Sequence, residues 1–172
     1  MRSTRVTAFG LALAAAGTAA ADVNFSLIAF ERDFRVQSNT LDSRGLGLGY
    51  VFDFGARDQR WRPEVAFMSA GPILSDNGQR EYAVGMSYHW GEDDAVLRIS
   101  GGIEKLETFD GSLDAEVVGG YLQFDALWRP GERFSIGISG RLLESEDARA
   151  GGQLLASDYS QLGVVVSWRF GD

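Results

Sequence analysis

The chain has 172 residues, with 16 basic and 24 acidic side chains, one histidine and no cysteine. Its length suits one domain, and its negative charge argues against a nucleic-acid partner. The lack of cysteine removes disulfides, thiolate chemistry and sulfur-ligated zinc.

Residues 1–21 read as a secretory signal peptide. Arg2 and Arg5 precede the short apolar run AFGLALAAAG, and small residues follow it, with cleavage expected after Ala21. The run is too short to cross a bilayer as a helix, and no later run is long enough to do so. The mature domain, 22–172, then holds 14 basic against 24 acidic residues, a net charge of −10.

From there the chain alternates with the period of a strand, in which successive side chains point to opposite faces. Eight segments follow: 23–34, 43–54, 60–70, 80–90, 95–106, 115–128, 133–143 and 159–170. The first has the least defined register, because Ile28, Phe30 and Phe34 share the parity of Asn24, Ser26 and Arg32. The second sets Leu46, Leu48, Tyr50, Phe52 and Phe54 on one face and Gly45, Gly47 and Gly49 on the other. Glycine weakens a strand interior and marks a close approach, so these three should make room for bulky neighbours such as Phe30, Arg32, Arg62 and Glu64.

The later segments repeat the pattern. Tyr82, Val84, Met86, Tyr88 and Trp90 oppose Ser87 and His89; Val118, Leu122, Phe124, Ala126 and Trp128 oppose Gln123 and Asp125; Leu162, Val164, Val166, Trp168 and Phe170 oppose Gln161 and Arg169. The polar parity of the remaining segments carries Arg62 and Glu64, Arg98 and Glu104, and Arg133, Ser135 and Arg141. Connections alternate between short ones (GARDQ, GEDD, RPGE) and longer ones, the longest being ESEDARAGGQLLASD. Trp61, Trp90, Trp128 and Trp168 share the apolar parity and cluster at the short-turn end or near the C-terminus. With Phe170 they predict an aromatic girdle at one membrane interface, where an indole is half buried and its N–H stays wet.

Long alternating strands, unequal connections and this girdle predict an all-β, eight-stranded antiparallel up-and-down transmembrane β-barrel. The alternative is a secreted soluble barrel or sandwich with the apolar parity turned inward; it fits poorly with strand length, the tryptophans and glycine on a would-be exposed face. The chain resembles the small eight-stranded outer-membrane β-barrels of Gram-negative bacteria, the class of OmpX-type proteins and OmpA-type membrane domains. The ending SQLGVVVSWRFGD is similar to the C-terminal strand recognised by the barrel assembly machinery, although Phe170 is followed here by Gly171 and Asp172. The resemblance implies a monomer in the cell outer membrane, in contact with membrane lipid and lipopolysaccharide, with both termini periplasmic.

Eight strands enclose space for side chains or one small ligand. Arg62, Glu64, Arg98, Glu104, Asp125, Arg141 and Arg169 are therefore expected to form a luminal polar network, since an unpaired buried ion is costly. The expected role is structural, or one of loop-mediated interaction in the envelope. A narrow channel for small solutes is the alternative. A lipid A-modifying enzyme is the weakest reading, because it would have to rest on Ser87 and His89, at the short-turn end and in an order reversed from the deacylase pattern. No catalytic residue, cofactor or metal is expected. Glu144, Glu146, Asp147, Asp158, Asp110 and Asp114 could meet a divalent cation at lipopolysaccharide phosphates, but acidic loops are commonly just solvated. Leu154 and Leu155 are candidate contacts in the longest loop, and the loops carry few exposed aromatics outside Tyr159.

Overall fold

The computed structural model describes residues 22–36, 43–56, 58–71, 78–92, 94–110, 113–150 and 153–171. The expected signal peptide lies outside them. Eight strands run in chain order: β1 (Val23–Val36), β2 (Ser43–Phe54), β3 (Trp61–Ala70), β4 (Gly78–Glu92), β5 (Ala95–Asp110), β6 (Leu113–Gly131), β7 (Phe134–Ala150) and β8 (Gln153–Phe170). Each pairs antiparallel with the next, and β8 returns to β1 to close the barrel.

Closure leaves no free sheet edge, so the barrel has only two faces, and the alternation decides which residues each receives. In β3 burial follows the strand period, with Arg62, Glu64, Ala66, Met68 and Ala70 buried and Trp61, Pro63, Phe67 and Ser69 exposed. The buried parity is the polar one, and the greasy parity faces out. Leu46 is 74% exposed, Ile138 62% and Leu162 68%. A soluble barrel would reverse this arrangement, because burial of apolar surface drives its folding.

The outward apolar belt covers about nine residues per strand, as from Leu46 to Phe54 or Leu162 to Phe170. At ~3.3 Å per residue and a ~40° tilt it is ~20 Å tall, near the ~25 Å apolar band of transmembrane barrels. Above it the outward positions turn polar: Glu31 on β1, Ser69 on β3, Arg80 on β4, Lys105 on β5 and Glu144 on β7.

The first strand settles into the register the sequence leaves open. Asn24, Ser26, Ile28, Phe30 and Arg32 point inward, while Val23, Phe25, Leu27 and Ala29 point outward. Phe30 is accepted inside because its register partners on both sides are glycines, Gly47 on β2 and Gly163 on β8. A Cβ on Gly47 would lie 2.4 Å from the Phe30 ring, and one on Gly49 2.8 Å from Met68 Cγ. At Gly45 a Cβ would meet only ordinary contacts, so the need for space is confined to the other two glycines.

Two expectations are corrected. The connection expected at 144–158 is mostly strand: β7 runs to Ala150 and β8 begins at Gln153, with Ser145 paired to Ser157 and Ala150 to Gln153. Likewise β5 and β6 extend to Asp110 and Leu113. Above the belt the outward positions lose the apolar alternation while the backbone ladder continues. Arg133, expected inside, lies exposed in the two-residue turn between β6 and β7, where its carbonyl accepts the Arg169 N–H at 2.9 Å.

Candidate functional site

The site is the barrel interior. Arg32, Arg62, Arg98 and Arg141 are each at most 1% exposed, and Asp53, Glu64, Glu81, Glu104 and Asp125 at most 2%. Inward parity on seven different strands places them there.

In the half nearer the long hairpins, Glu81 lies between two guanidinium groups. It pairs with Arg32 and, at 2.7 Å, with Arg141 Nη2. The same Arg141 nitrogen donates to Glu104 Oε2 at 2.7 Å, and the Tyr159 hydroxyl donates to Glu104 Oε1 at 2.7 Å. Arg32 Nη2 donates to Gln161 Oε1 at 2.7 Å, and its guanidinium stands 4.1 Å from the Tyr159 ring centroid. Two positive and two negative charges thus balance in this half. Above them Leu106, Val117, Leu143 and Tyr159 form a buried apolar layer.

In the half nearer the short turns, Asp53 accepts from Arg62 at 3.1 Å, Arg98 at 3.3 Å and the Asn24 amide at 2.7 Å. Arg98 Nε donates to Asp125 Oδ2 at 2.5 Å, and Arg98 Nη1 to Ser26 Oγ at 3.0 Å. These two pairs of charges also balance. Arg62 is anchored further by carbonyls of the β2–β3 turn, donating to Gln59 O at 3.0 Å and Ala56 O at 3.1 Å.

Gln123 joins the halves. Its Oε1 accepts from Arg141 at 2.8 Å, while its Nε2 donates to Asp125 at 3.0 Å. Tyr121 lies at the same level, its ring 3.8 Å under the Arg141 guanidinium and its hydroxyl donating to Glu64 Oε1 at 3.2 Å. Ser100 donates to the other Glu64 oxygen at 2.8 Å. Glu64 has no ion pair among the described residues. A Cβ on Gly85 would come 2.5 Å from the Tyr121 hydroxyl, so that glycine lets the ring reach across.

Of the residues expected in the network, Arg62, Glu64, Arg98, Glu104, Asp125 and Arg141 come together here. Arg169 stands at the short-turn mouth, half-buried, donating to Asn24 Oδ1 at 3.3 Å. Tyr159, expected as an exposed loop aromatic, is 3% exposed inside the barrel. Glu81 and Tyr121 were missed, although the parity that put Ser87 and Gln123 inside assigns them the same face.

Ser87, His89 and Asp53 also meet. His89 Nε2 lies 3.1 Å from Ser87 Oγ and 3.7 Å from Asp53 Oδ1. Both partners approach the same ring nitrogen, Nδ1 is buried without a partner among the described residues, and Ser87 is fully buried. A relay needs the nucleophile and the orienting acid on opposite nitrogens of the imidazole, and a nucleophile that substrate can reach; this arrangement has neither.

On the outside, Trp61, Trp90, Trp128 and Phe170 are 59–62% exposed and Trp168 36%. They ring the short-turn end, joined by Tyr88 beside Trp61 (4.9 Å between ring centroids) and Phe134 beside Trp168 (5.7 Å). Glu144 faces outward above the belt. The side chains of Asp110, Asp114, Glu146, Asp147, Leu154, Leu155 and Asp158 lie outside the described residues.

No protein family and no curated relative matches the sequence. Solved structures do match in shape. Outer membrane protein OprG of Pseudomonas aeruginosa aligns with 91% of this chain and 99% of its own at a TM-score of 0.61 and 13% identity. Ail, the attachment invasion locus protein of Yersinia pestis, covers 88% of this chain and 100% of its own at 0.60 and 14%. Neisserial surface protein A covers 88% and 98% at 0.58 and 11%. At these identities the likeness is one of fold: the chain has the closed eight-stranded barrel of small outer-membrane proteins.

Proposed function

We propose that the chain is an integral outer-membrane barrel, exported by the segment 1–21 and monomeric, whose interior is shut and whose role is to support the envelope and present its hairpins to partners. The observation that carries this reading is the interior lattice. Four arginines and five carboxylates, nearly all directly paired, cross the lumen with Tyr121, Gln123 and Tyr159 between them. Removing one partner from such a pair costs about 3–5 kcal/mol, so opening a path through it is expensive. The outward side chains then face lipid, the aromatic ring marks the periplasmic interface, and the hairpins of β5–β8 rise toward lipopolysaccharide. The barrel assembly machinery is the expected route of insertion.

Ail has been crystallised with sucrose octasulfate, a heparin analogue. Among the described residues Glu31, Glu107, Glu116 and Glu144 outnumber Arg80 and Lys105 on the outward surface above the belt, with Lys105 held between Glu107 at 2.7 Å and Glu116 at 3.1 Å. Such a surface disfavours a polysulfated ligand and suits a cationic partner or one bridged by divalent ions.

Planar-bilayer recording of the purified mature chain tests the closed interior. The expected trace has no steady open level. A reproducible conductance that changes on Arg141→Met would favour the narrow-channel reading instead.

A further inference from the structure

The seam between β2 and β3 has the shortest ladder of the barrel. Among the described residues it runs from Gly47–Ala70 to Asp53–Glu64, seven register pairs, whereas β3–β4 has ten and every other seam twelve or more. Above Gly47 the Gly71 N–H donates to the Leu46 carbonyl at 3.0 Å. Opposed residues of an antiparallel ladder alternate between pairs that exchange both backbone bonds and pairs that exchange none. Leu48–Ser69, Tyr50–Phe67 and Phe52–Val65 therefore carry the seam.

The next pair in that alternation is Phe54–Pro63, and proline has no N–H to give. Within sheets proline is confined to edges, strand starts and bulges. A closed barrel has no free edge, yet Pro63 is the third residue of β3, with its missing donor on the β2 side. Along this line β3 behaves as an edge strand.

Side chains add little across the seam. Above Asp53 and Glu64 the inward positions are Val51, Gly49 and Gly47 on β2 and Ala66, Met68 and Ala70 on β3, none of them able to form an ion pair. Asp53 and Arg62 join the two strands at 3.1 Å, but at the short-turn end, where Arg62 also holds the carbonyls of Ala56 and Gln59. Behind the seam lies an apolar sector of the lumen: Ile28, Phe30, Val51, Ala66, Met68 and Ala70 are each at most 5% exposed. Parting the strands above Asp53 breaks backbone bonds and leaves no charge unpaired between them.

We propose that β2 and β3 part along this seam, hinged on the Asp53–Arg62 pair, so that the barrel opens sideways and membrane hydrocarbon reaches the apolar sector behind it. The charge lattice keeps the axial path shut meanwhile. The opening rests on the outer-membrane and closed-interior readings above.

The test is thiol labelling of the mature chain in vesicles of phosphatidylethanolamine and phosphatidylglycerol, each variant first checked for a heat-modifiable band; the sequence has no cysteine of its own. Val51, on β2 at the seam, and Val165, on β8, are both fully buried. Val51→Cys should react with a membrane-soluble pyrene maleimide, as should Ala66→Cys at its register partner, while Val165→Cys should stay unreacted. Pro63→Ala restores the missing N–H and should slow the labelling of Val51→Cys about fivefold, the equilibrium effect of one added backbone hydrogen bond. Equal labelling at Val51→Cys and Val165→Cys, or no slowing by Pro63→Ala, would overturn the lateral opening and leave the membrane reading intact. Labelling of Val51→Cys by a charged, water-soluble maleimide as fast as by the pyrene reagent would overturn it together with the closed interior, since access would then come along the axis. A wild-type chain that never becomes heat-modifiable would fail the outer-membrane reading itself, and the opening with it.

Discussion

Phe30 lies between two glycines because a barrel this narrow cannot take a bulky side chain from every strand. Gly47→Leu should therefore strain the interior. Even an added Cβ meets the Phe30 ring at 2.4 Å and Ser69 O at 2.6 Å, and overpacking of this kind costs about 1–3 kcal/mol or more. Leu48→Val, on the outer face, should cost less than about 1 kcal/mol. Urea unfolding of the two variants in lipid vesicles measures the contrast. Glu64 offers a second one. Its oxygens accept from two neutral hydroxyls and it has no ion pair among the described residues, whereas Glu81 pairs with two arginines. Glu64→Gln should be tolerated or stabilising, and Glu81→Gln should destabilise by about 3 kcal/mol or more. If the two variants unfold alike, the division of the interior into paired and unpaired carboxyls is wrong. At this scale the sequence was legible wherever parity was applied consistently. The same alternation that selects Arg62 and Gln123 contains Glu81 and Tyr121; Tyr121 is the harder of the two to read, because an aromatic on a polar face looks like an exception.

The strands were legible where the apolar belt faces outward. The ends of β2 fall at Ser43 and Phe54 as the alternation indicates, because the outer face and the lumen impose opposite demands on adjacent residues there. Beyond the belt that contrast disappears. ESEDARA of β7 reads as a loop, yet it continues the ladder to Ala150, held by backbone pairing that composition does not report. The hairpin should consequently be dispensable for assembly. Removing residues 146–156 and joining the register partners Ser145 and Ser157 through a two-residue turn leaves Leu143, Tyr159 and the charges beneath them in place. The shortened chain should still give a heat-modifiable band in detergent, with unfolding stability close to the full chain. Loss of folding would mean that the upper ladder helps close the barrel.

At the scale of the molecule, the interior acts as one lattice rather than a set of separate pairs. Arg141 alone touches Glu81, Glu104, Gln123, Tyr121 and Tyr159. Arg141→Met should thus destabilise the barrel by about 3–5 kcal/mol, and adding Glu104→Gln should return part of the loss, a coupling that a double-mutant cycle in urea reads directly. Additive losses would show that the two groups act independently. Closure of the barrel, outward grease and inward charge also make one joint statement about surroundings, and this is the account's central claim. The most direct test is to express the full chain in a Gram-negative host, separate the membranes and compare heated with unheated samples on a gel. The account predicts a heat-modifiable protein in the detergent-extracted outer membrane. A soluble periplasmic protein whose band does not shift on heating would contradict it.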